Sequence, residues 1–232
     1  MKFKQPLQAA VLVRRYKRFL ADVQLPSGEI ITVHCPNSGA MLGCRAPGLP
    51  AYISRSENPT RKYPHTLEMV RNHGTWIGIN TALTNHLVRE AMELGLISEL
   101  NPTTNIQAEV KISPHSRIDF LIRQPTCLLY LEVKNCTLAE GGVARFPDAV
   151  TSRGAKHLRE LMTLKEQGHQ AAVLFCVQRQ DTDRFAPADR IDPHYALLLK
   201  QAHAQGVLVL AYQAEVGPTE IRLARPLPVY LD

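Results

Sequence analysis

Arg117-Ile118-Asp119-Phe120-Leu121-Ile122 and Leu128-Leu129-Tyr130-Leu131-Glu132-Val133-Lys134-Asn135 decide how this chain is read. Each is an apolar run of strand length that carries charge where a buried strand has no use for it. The residues between, Arg123-Gln124-Pro125-Thr126-Cys127, have the length of a hairpin loop. Side chains alternate along a strand, so Glu132 and Lys134 share a face and Val133 takes the other. The hairpin then brings Asp119, Glu132 and Lys134 toward one end of a two-stranded unit. Hard cations such as Mg2+ or Mn2+ prefer oxygen ligands, commonly one or two carboxylates together with substrate phosphate. Such an ion polarises a phosphodiester and acidifies the attacking water, while a lysine alongside orients that water or offsets phosphate charge. The set therefore points to phosphodiester cleavage, with Asp119, Glu132 and Lys134 catalytic and the two acids also metal ligands. For Glu132 a plain ion pair at a sheet edge is the alternative.

Upstream, short strands alternate with turns: residues 7–13, 18–25, 29–35 and 49–54, broken by Pro26-Ser27-Gly28 and Pro36-Asn37-Ser38-Gly39. This rhythm predicts a small OB-like barrel over residues 1–78. After Trp76 the pattern changes. Leu83, Leu87, Ala91 and Leu94 recur at helical intervals over 81–94, with Asn80 or Thr81 as cap and Gly95 as stop. Strands are expected at 107–112, 117–122 and 128–134, then a long loop at 138–148 and a helix over 151–167. A buried strand at 171–177, a helix over 193–205, a strand at 207–212 and an edge segment at 220–224 complete the order. The fold class is therefore all-β plus α/β, the second domain spanning 79–232 around a mixed sheet.

The chain has 232 residues and a formal net charge of +6. The excess is confined to the front: residues 1–78 carry eleven Lys and Arg against four Asp and Glu, whereas residues 79–232 carry 16 against 17. A polyanion-binding module followed by a different activity fits this asymmetry, as does a merely solvated basic surface. Arg14-Arg15-Tyr16-Lys17-Arg18-Phe19 is the densest basic run, with Tyr16 the candidate base-stacking residue and Phe19 expected in the core. Arg61 and Lys62 add a second basic group, beside Arg55 and Tyr63. Asn37 and Ser38 could shape a turn or bond a phosphate. On the 151–167 helix, Arg153, Lys156 and His157 share one side. Cations at a helix start oppose its dipole, which a nearby phosphate would relieve. Pairing with the hairpin acids would relieve it as well.

Five scattered cysteines without a C-x-x-C pair argue against disulfides or structural zinc. No apolar run approaches a bilayer span, and Met1-Lys2-Phe3-Lys4-Gln5-Pro6 lacks an apolar leader core. A reduced, cytoplasmic protein without membrane attachment is expected. H-E-x-x-H, Walker A, G-x-G-x-x-G and G-x-S-x-G patterns are all missing, as is a helix-turn-helix.

The Asp119, Glu132 and Lys134 constellation resembles the PD-(D/E)xK nuclease superfamily, with Ile118 where that pattern has proline. The resemblance implies a further acidic metal contact on the first helix, for which Glu90 is the match, with Glu93 close by and Glu109 on a strand. His34-Cys35-Pro36-Asn37-Ser38-Gly39-Ala40-Met41-Leu42 and Phe146-Pro147-Asp148-Ala149-Val150-Thr151-Ser152-Arg153-Gly154-Ala155-Lys156-His157-Leu158 resemble signatures of the sugar fermentation stimulation protein A family. That resemblance covers essentially the whole chain. It implies an OB-fold domain followed by a nuclease-like domain, sequence-non-specific DNA binding, and a proposed regulatory role in maltose metabolism. The expected partner is DNA, whether single-stranded, duplex or branched. The expected alternative activity is a Mg2+- or Mn2+-dependent nuclease.

Overall fold

In the computed structural model, which describes residues 1–113 and 116–231, the chain opens with six strands. They are β1 (Gln8–Tyr16), β2 (Leu20–Gln24), β3 (Ile30–His34), β4 (Pro50–Arg55), β5 (His65–Asn72) and β6 (Thr75–Gly78). Their order is β3-β2-β1-β4-β5-β6, and a parallel bridge between His34 and Thr66 joins β3 to β5. Five strands thus close on themselves as an OB-type barrel, with β6 prolonging β5. Closure removes the exposed edges that an open sheet would offer. Inward residues alternate as the pleat demands: Leu12, Val23, Val33, Ile53 and Leu67 are fully buried. The 35–49 connection plugs the barrel with Cys35, Met41 and Cys44. Phe19 departs from its expected core position. It sits at the tip of the β1–β2 hairpin and is 44% exposed, because the two tight turn residues before it turn it out of the barrel.

A single 3-10 turn (Thr81–Leu83) leads into α1 (Thr84–Glu93), and the Asn80 side chain accepts the Ala82 N–H at the start, as its position predicts. Then follow β7 (Asn105–Ser113), β8 (Ser116–Arg123), β9 (Leu128–Cys136), β10 (Leu138–Glu140), β11 (Val143–Phe146), α2 (Ser152–Glu166), β12 (Gln170–Val177), β13 (Arg184–Pro187), α3 (Pro193–Ala204), β14 (Leu208–Val216) and β15 (Ile221–Pro226). The main sheet runs β15-β14-β12-β9-β8-β7. β9, β12 and β14 are parallel, and the hairpins at either edge are antiparallel. α1 packs on one face, through Leu87, Val88 and Ala91 against Leu129, Leu131 and Val133. α2 and α3 cover the other, where Leu158, Leu161 and Leu199 meet Ala171, Val173 and Phe175. β12 is buried on both faces, which is why it reads as an unbroken apolar run. The expected loop at 138–148 is instead β10 and β11, which form a small sheet with β13. Strands of three or four residues leave too little periodicity to detect. Among the described residues, no helix is long and apolar enough to cross a membrane.

The two quoted motifs meet where barrel and α/β domain join. Asp148 accepts the Met41 N–H at 2.7 Å, and a Cβ on Gly39 would stand 2.5 Å from the Asp148 carboxylate. Only glycine permits that approach. The Thr81 hydroxyl donates to the Pro36 carbonyl at 2.5 Å, and the Gly78 N–H to the Gln178 carbonyl at 2.9 Å. Inside the second motif, Gly154 lets α2 close on α3: a Cβ there would lie 3.0 Å from the Tyr195 ring and 2.8 Å from Thr151.

Candidate active site

Pairing along the central hairpin stops one step short of the acids. β8 and β9 pair from Arg123↔Leu128 to Phe120↔Leu131, and the ladder ends before Asp119 and Glu132 face each other. On the other side, the β7–β8 ladder has Ala108↔Phe120 and Val110↔Ile118, with Glu109 between them at φ +54. Phe120 faces the α1 core, whereas Ile118 joins the α2 side, so β8 twists at Asp119. The carboxylate occupies the opening: Oδ2 accepts the Val133 N–H at 2.7 Å and Oδ1 accepts the Asn85 side-chain amide at 2.8 Å. Asp119 therefore replaces a missing ladder bond and stays beside the next turn of β9.

Glu132 points to the α2 face and is 3% exposed. Its Oε1 accepts from Lys134 Nζ at 2.5 Å and from His157 Nδ1. Arg153 Nε lies 3.5 Å from His157 Nε2, and the Nδ1 side of the imidazole faces both the Glu132 carboxylate and, at 3.2 Å, Lys134 Nζ. Glu132 Oε2 is buried without a hydrogen-bond partner among the described residues. Burial alone would push this carboxyl up, but the His157 hydrogen bond and the Lys134 charge outweigh it and hold it below the usual glutamate range. Asp119 goes the other way. Burial and then the neighbouring Glu132 charge raise it, against the Val133 and Asn85 donors. A half-buried and a buried carboxylate that repel each other, the buried one with an unpaired oxygen, form a set that a cation would stabilise.

Asp119 opens onto a cavity of about 400 Å3 whose other walls include Glu109, Lys111, Ser116, Arg117 and Arg153. Three cations and the Glu109 and Asp119 carboxylates line it, a charge balance that suits a phosphate backbone, while Glu132 and Lys134 lie behind Asp119 rather than on the cavity wall. Among the described residues, no group of three or more His, Cys, Asp or Glu side chains is arranged as a metal cage. The donor set instead matches the open Mg2+ type, in which one or two carboxylates hold the ion and water or phosphate completes its shell.

Glu90 is not part of this site, contrary to expectation. Its Oε2 pairs with the Met1 ammonium at 2.6 Å, over the β15 side of α1. One turn and more toward the start of the helix, Asn85 is the α1 residue that reaches Asp119, and Glu109 is the second acid lining the cavity. The sequence marks Glu109 only as a strand acid beside the preferred Glu90, and does not mark Asn85. Asn85 is a neutral residue on an amphipathic helix, and Glu109 joins the cavity only through its left-handed backbone.

The expected nucleic-acid contacts divide. His157 is buried against Glu132, so of the two sequence-based alternatives for the α2 charges, pairing with a hairpin acid holds for it. Arg153 lines the Asp119 cavity, and Lys156 lies near Glu160 at 3.7 Å. Arg15 donates to the carbonyls of Arg18, Asn37 and Gly39. Arg14 and the Tyr16 hydroxyl both bond Asp22, at 2.7 and 3.0 Å, so Tyr16 is anchored rather than presented for stacking. Asn37 is buried and accepts the Gly39 N–H at 2.9 Å, which makes it a turn former, while Ser38 is exposed. Lys17 and Arg18 are exposed at the hairpin tip, where Arg18 Nε donates to the Ser38 carbonyl at 3.3 Å. Arg61 meets His34 Nδ1 at 3.0 Å, and Lys62 lies over the Tyr63 ring.

Comparison with known proteins meets this geometry on both domains. The model of the SfsA N-terminal OB domain matches residues 13–79, and that of the sugar fermentation stimulation protein RE domain matches residues 82–220. The chain belongs to the sugar fermentation stimulation protein family. It is 55% identical over 229 residues to the sugar fermentation stimulation protein homolog of Geotalea uraniireducens, covering 99% of each chain. The homolog from Citrifermentans bemidjiense is 54% identical over 231 residues, the full length of both. Among solved structures, Pyrococcus furiosus SfsA in complex with Ca2+ superimposes with a TM-score of 0.92 at 28% identity, over 99% of this chain and 98% of that one.

Proposed function

We propose that this family member binds DNA through its phosphates without reading sequence, and that Asp119, Glu132 and Lys134 hydrolyse a phosphodiester held in the Asp119 cavity. The convergence of two coupled carboxylates and a lysine beside a cavity walled by Lys111, Arg117 and Arg153 carries this reading. Asp119 and Glu132 would hold a divalent ion, which would supply Lewis acidity and a more acidic water. The Ca2+ carried by the Pyrococcus furiosus relative supports an oxygen-ligated cation on this fold.

The chain's own residues divide the work. Asp119 is anchored by the Val133 N–H and Asn85, so its lone pairs hold a fixed direction. His157 and Lys134 keep Glu132 ionised although it is buried. Lys134, held by Glu132 next to Asp119, would orient the attacking water or meet charge developing on phosphate. Arg117 and Arg153 bind the backbone on either side. Binding by phosphate contacts is also compatible with the regulatory role that the family name suggests, and it predicts affinity that falls steeply with salt.

The test incubates purified protein with single-stranded, duplex and branched DNA, with Mg2+ or Mn2+ and with chelator. Cleavage should require the cation and vanish in Glu132→Ala and Lys134→Ala. Equal metal-dependent product from the wild type and Glu132→Ala would show the site to be wrong.

A further inference from the structure

The barrel and the α/β domain enclose a second cleft, of about 280 Å3, that the site above does not use. Arg18 and Ser38 face it from the barrel, and Asn135, Thr137, Arg145 and Val150 from the other side. It lies next door to the Asp119 cavity along two elements. Asn135 follows Lys134 on β9, and Thr151, which caps α2 and also lines the cleft, is two residues from Arg153 in the Asp119 wall.

The cleft's chemistry is that of a phosphate chain with unstacked bases. Two guanidiniums, amides and hydroxyls line it; Arg18 Nε donates to the Ser38 carbonyl and Arg145 to the Pro187 carbonyl, each through part of its fork. Its one carboxylate, Asp148, is engaged by the Met41 N–H and pressed against Gly39. Apolar surface is exposed on and beside it: Val150 on the cleft wall is 76% exposed, and Phe19, whose ring lies 5.6 Å from the guanidinium of the lining Arg18, is 44% exposed. The hairpin tip is also conformationally costly. Lys17 and Arg18 adopt φ +46 and +61, left-handed backbone that an Asn-Gly pair would take with less strain. The side chains are kept at the expense of the turn. This tip is the loop between the first two strands, one of the loops with which OB folds bind oligonucleotides.

We propose that this cleft takes a single strand of DNA and leads it into the Asp119 cavity, so that the substrate is single-stranded rather than duplex. The proposal rests on the phosphodiester reading above and names its substrate class. A base face stacks on Phe19 beside Arg18, and the backbone passes Arg145 and Asn135 toward Arg153. A duplex hides its base faces within the stack and has only the rim to offer.

Fluorescence anisotropy in chelator, which prevents turnover, reads this directly, with a labelled oligo-dT and a hairpin duplex of equal charge. The wild type should bind the single strand at least tenfold more tightly. Phe19→Ala should weaken that binding roughly 5- to 100-fold, the worth of one stacked base, and leave duplex binding unchanged. Arg18→Ala should weaken the single strand as well. Both side chains are exposed, and unchanged Tm values establish that the variants fold. Duplex bound as tightly as single strand, or both variants binding like wild type, overturns the cleft assignment. If Arg117→Ala still weakens both DNA forms in that case, the phosphodiester reading survives. Failure of the wild type to bind any DNA at low salt overturns both.

Discussion

Replacing Asp119 by asparagine separates the site's two interactions, its own hydrogen bonds and its pairing with a cation. In the wild type, the two carboxylate oxygens serve the Val133 N–H and the Asn85 amide. An asparagine offers one oxygen, so one donor loses a charge-assisted bond worth about 1.5–3 kcal/mol. The same change removes a buried charge that burial and Glu132 already disfavour, and this offsets most of the loss. The metal-free variant should therefore unfold within about 1 kcal/mol of wild type. Cation binding should differ much more. An ion at a hundred times its Kd stabilises the folded state by about 2.7 kcal/mol. For a chain of this size that raises Tm by roughly 5–11 °C. Thermal unfolding with Ca2+, Mn2+ or chelator should show this rise in the wild type and less than about a third of it in Asp119→Asn. Glu90→Gln should keep the full rise, because Glu90 is engaged by the Met1 ammonium on another part of α1. An equal rise in Asp119→Asn and wild type would refute the placement of the cation, and loss of the rise in Glu90→Gln would refute the exclusion of Glu90.

Two further perturbations test the scaffold. In Gly78→Ala the new Cβ would lie 2.1 Å from Gln178 Oε1. Displacing Gln178 breaks its bonds to Asn135 and Thr84, for an expected loss of about 2–4 kcal/mol in chemical denaturation; a variant within 0.5 kcal/mol of wild type would contradict the close approach. Asp22 accepts from Arg14, Tyr16 and Thr32, and these donors outweigh burial to hold its pKa below the usual 3.8. A depressed acid contributes stability above its unfolded pKa and loses it as pH falls through the folded one. Asp22→Ala should thus cost roughly 2–4 kcal/mol at pH 7, a gap that narrows below the unfolded value of 3.8. A gap independent of pH would mean that packing, not the ionised carboxylate, carries the effect.

What the sequence by itself determined is what depends on neighbours along the chain. Alternation in β9, the Asn80 cap, the Gly95 stop and the double-faced apolar run of β12 are local patterns, and each appears where its residues predict it. The convergence of Asp119 with Glu132 and Lys134 was equally legible, because a short hairpin brings those positions together. Tertiary structure alone decided which outside residues complete the site. Glu90 and Asn85 lie on the same helix, and only the packing angle of α1 on the sheet chooses between them. His157 reads as one cation of a basic face, but the docking of α2 buries it against Glu132. The basic run 14–18 looks uniform in sequence, yet barrel closure commits Arg14, Arg15 and Tyr16 to internal partners and leaves Lys17 and Arg18 outside. Periodicity records which side of an element is buried. The partner that a polar group finds there depends on distance and direction between elements, which the spacing of residues along one element does not encode.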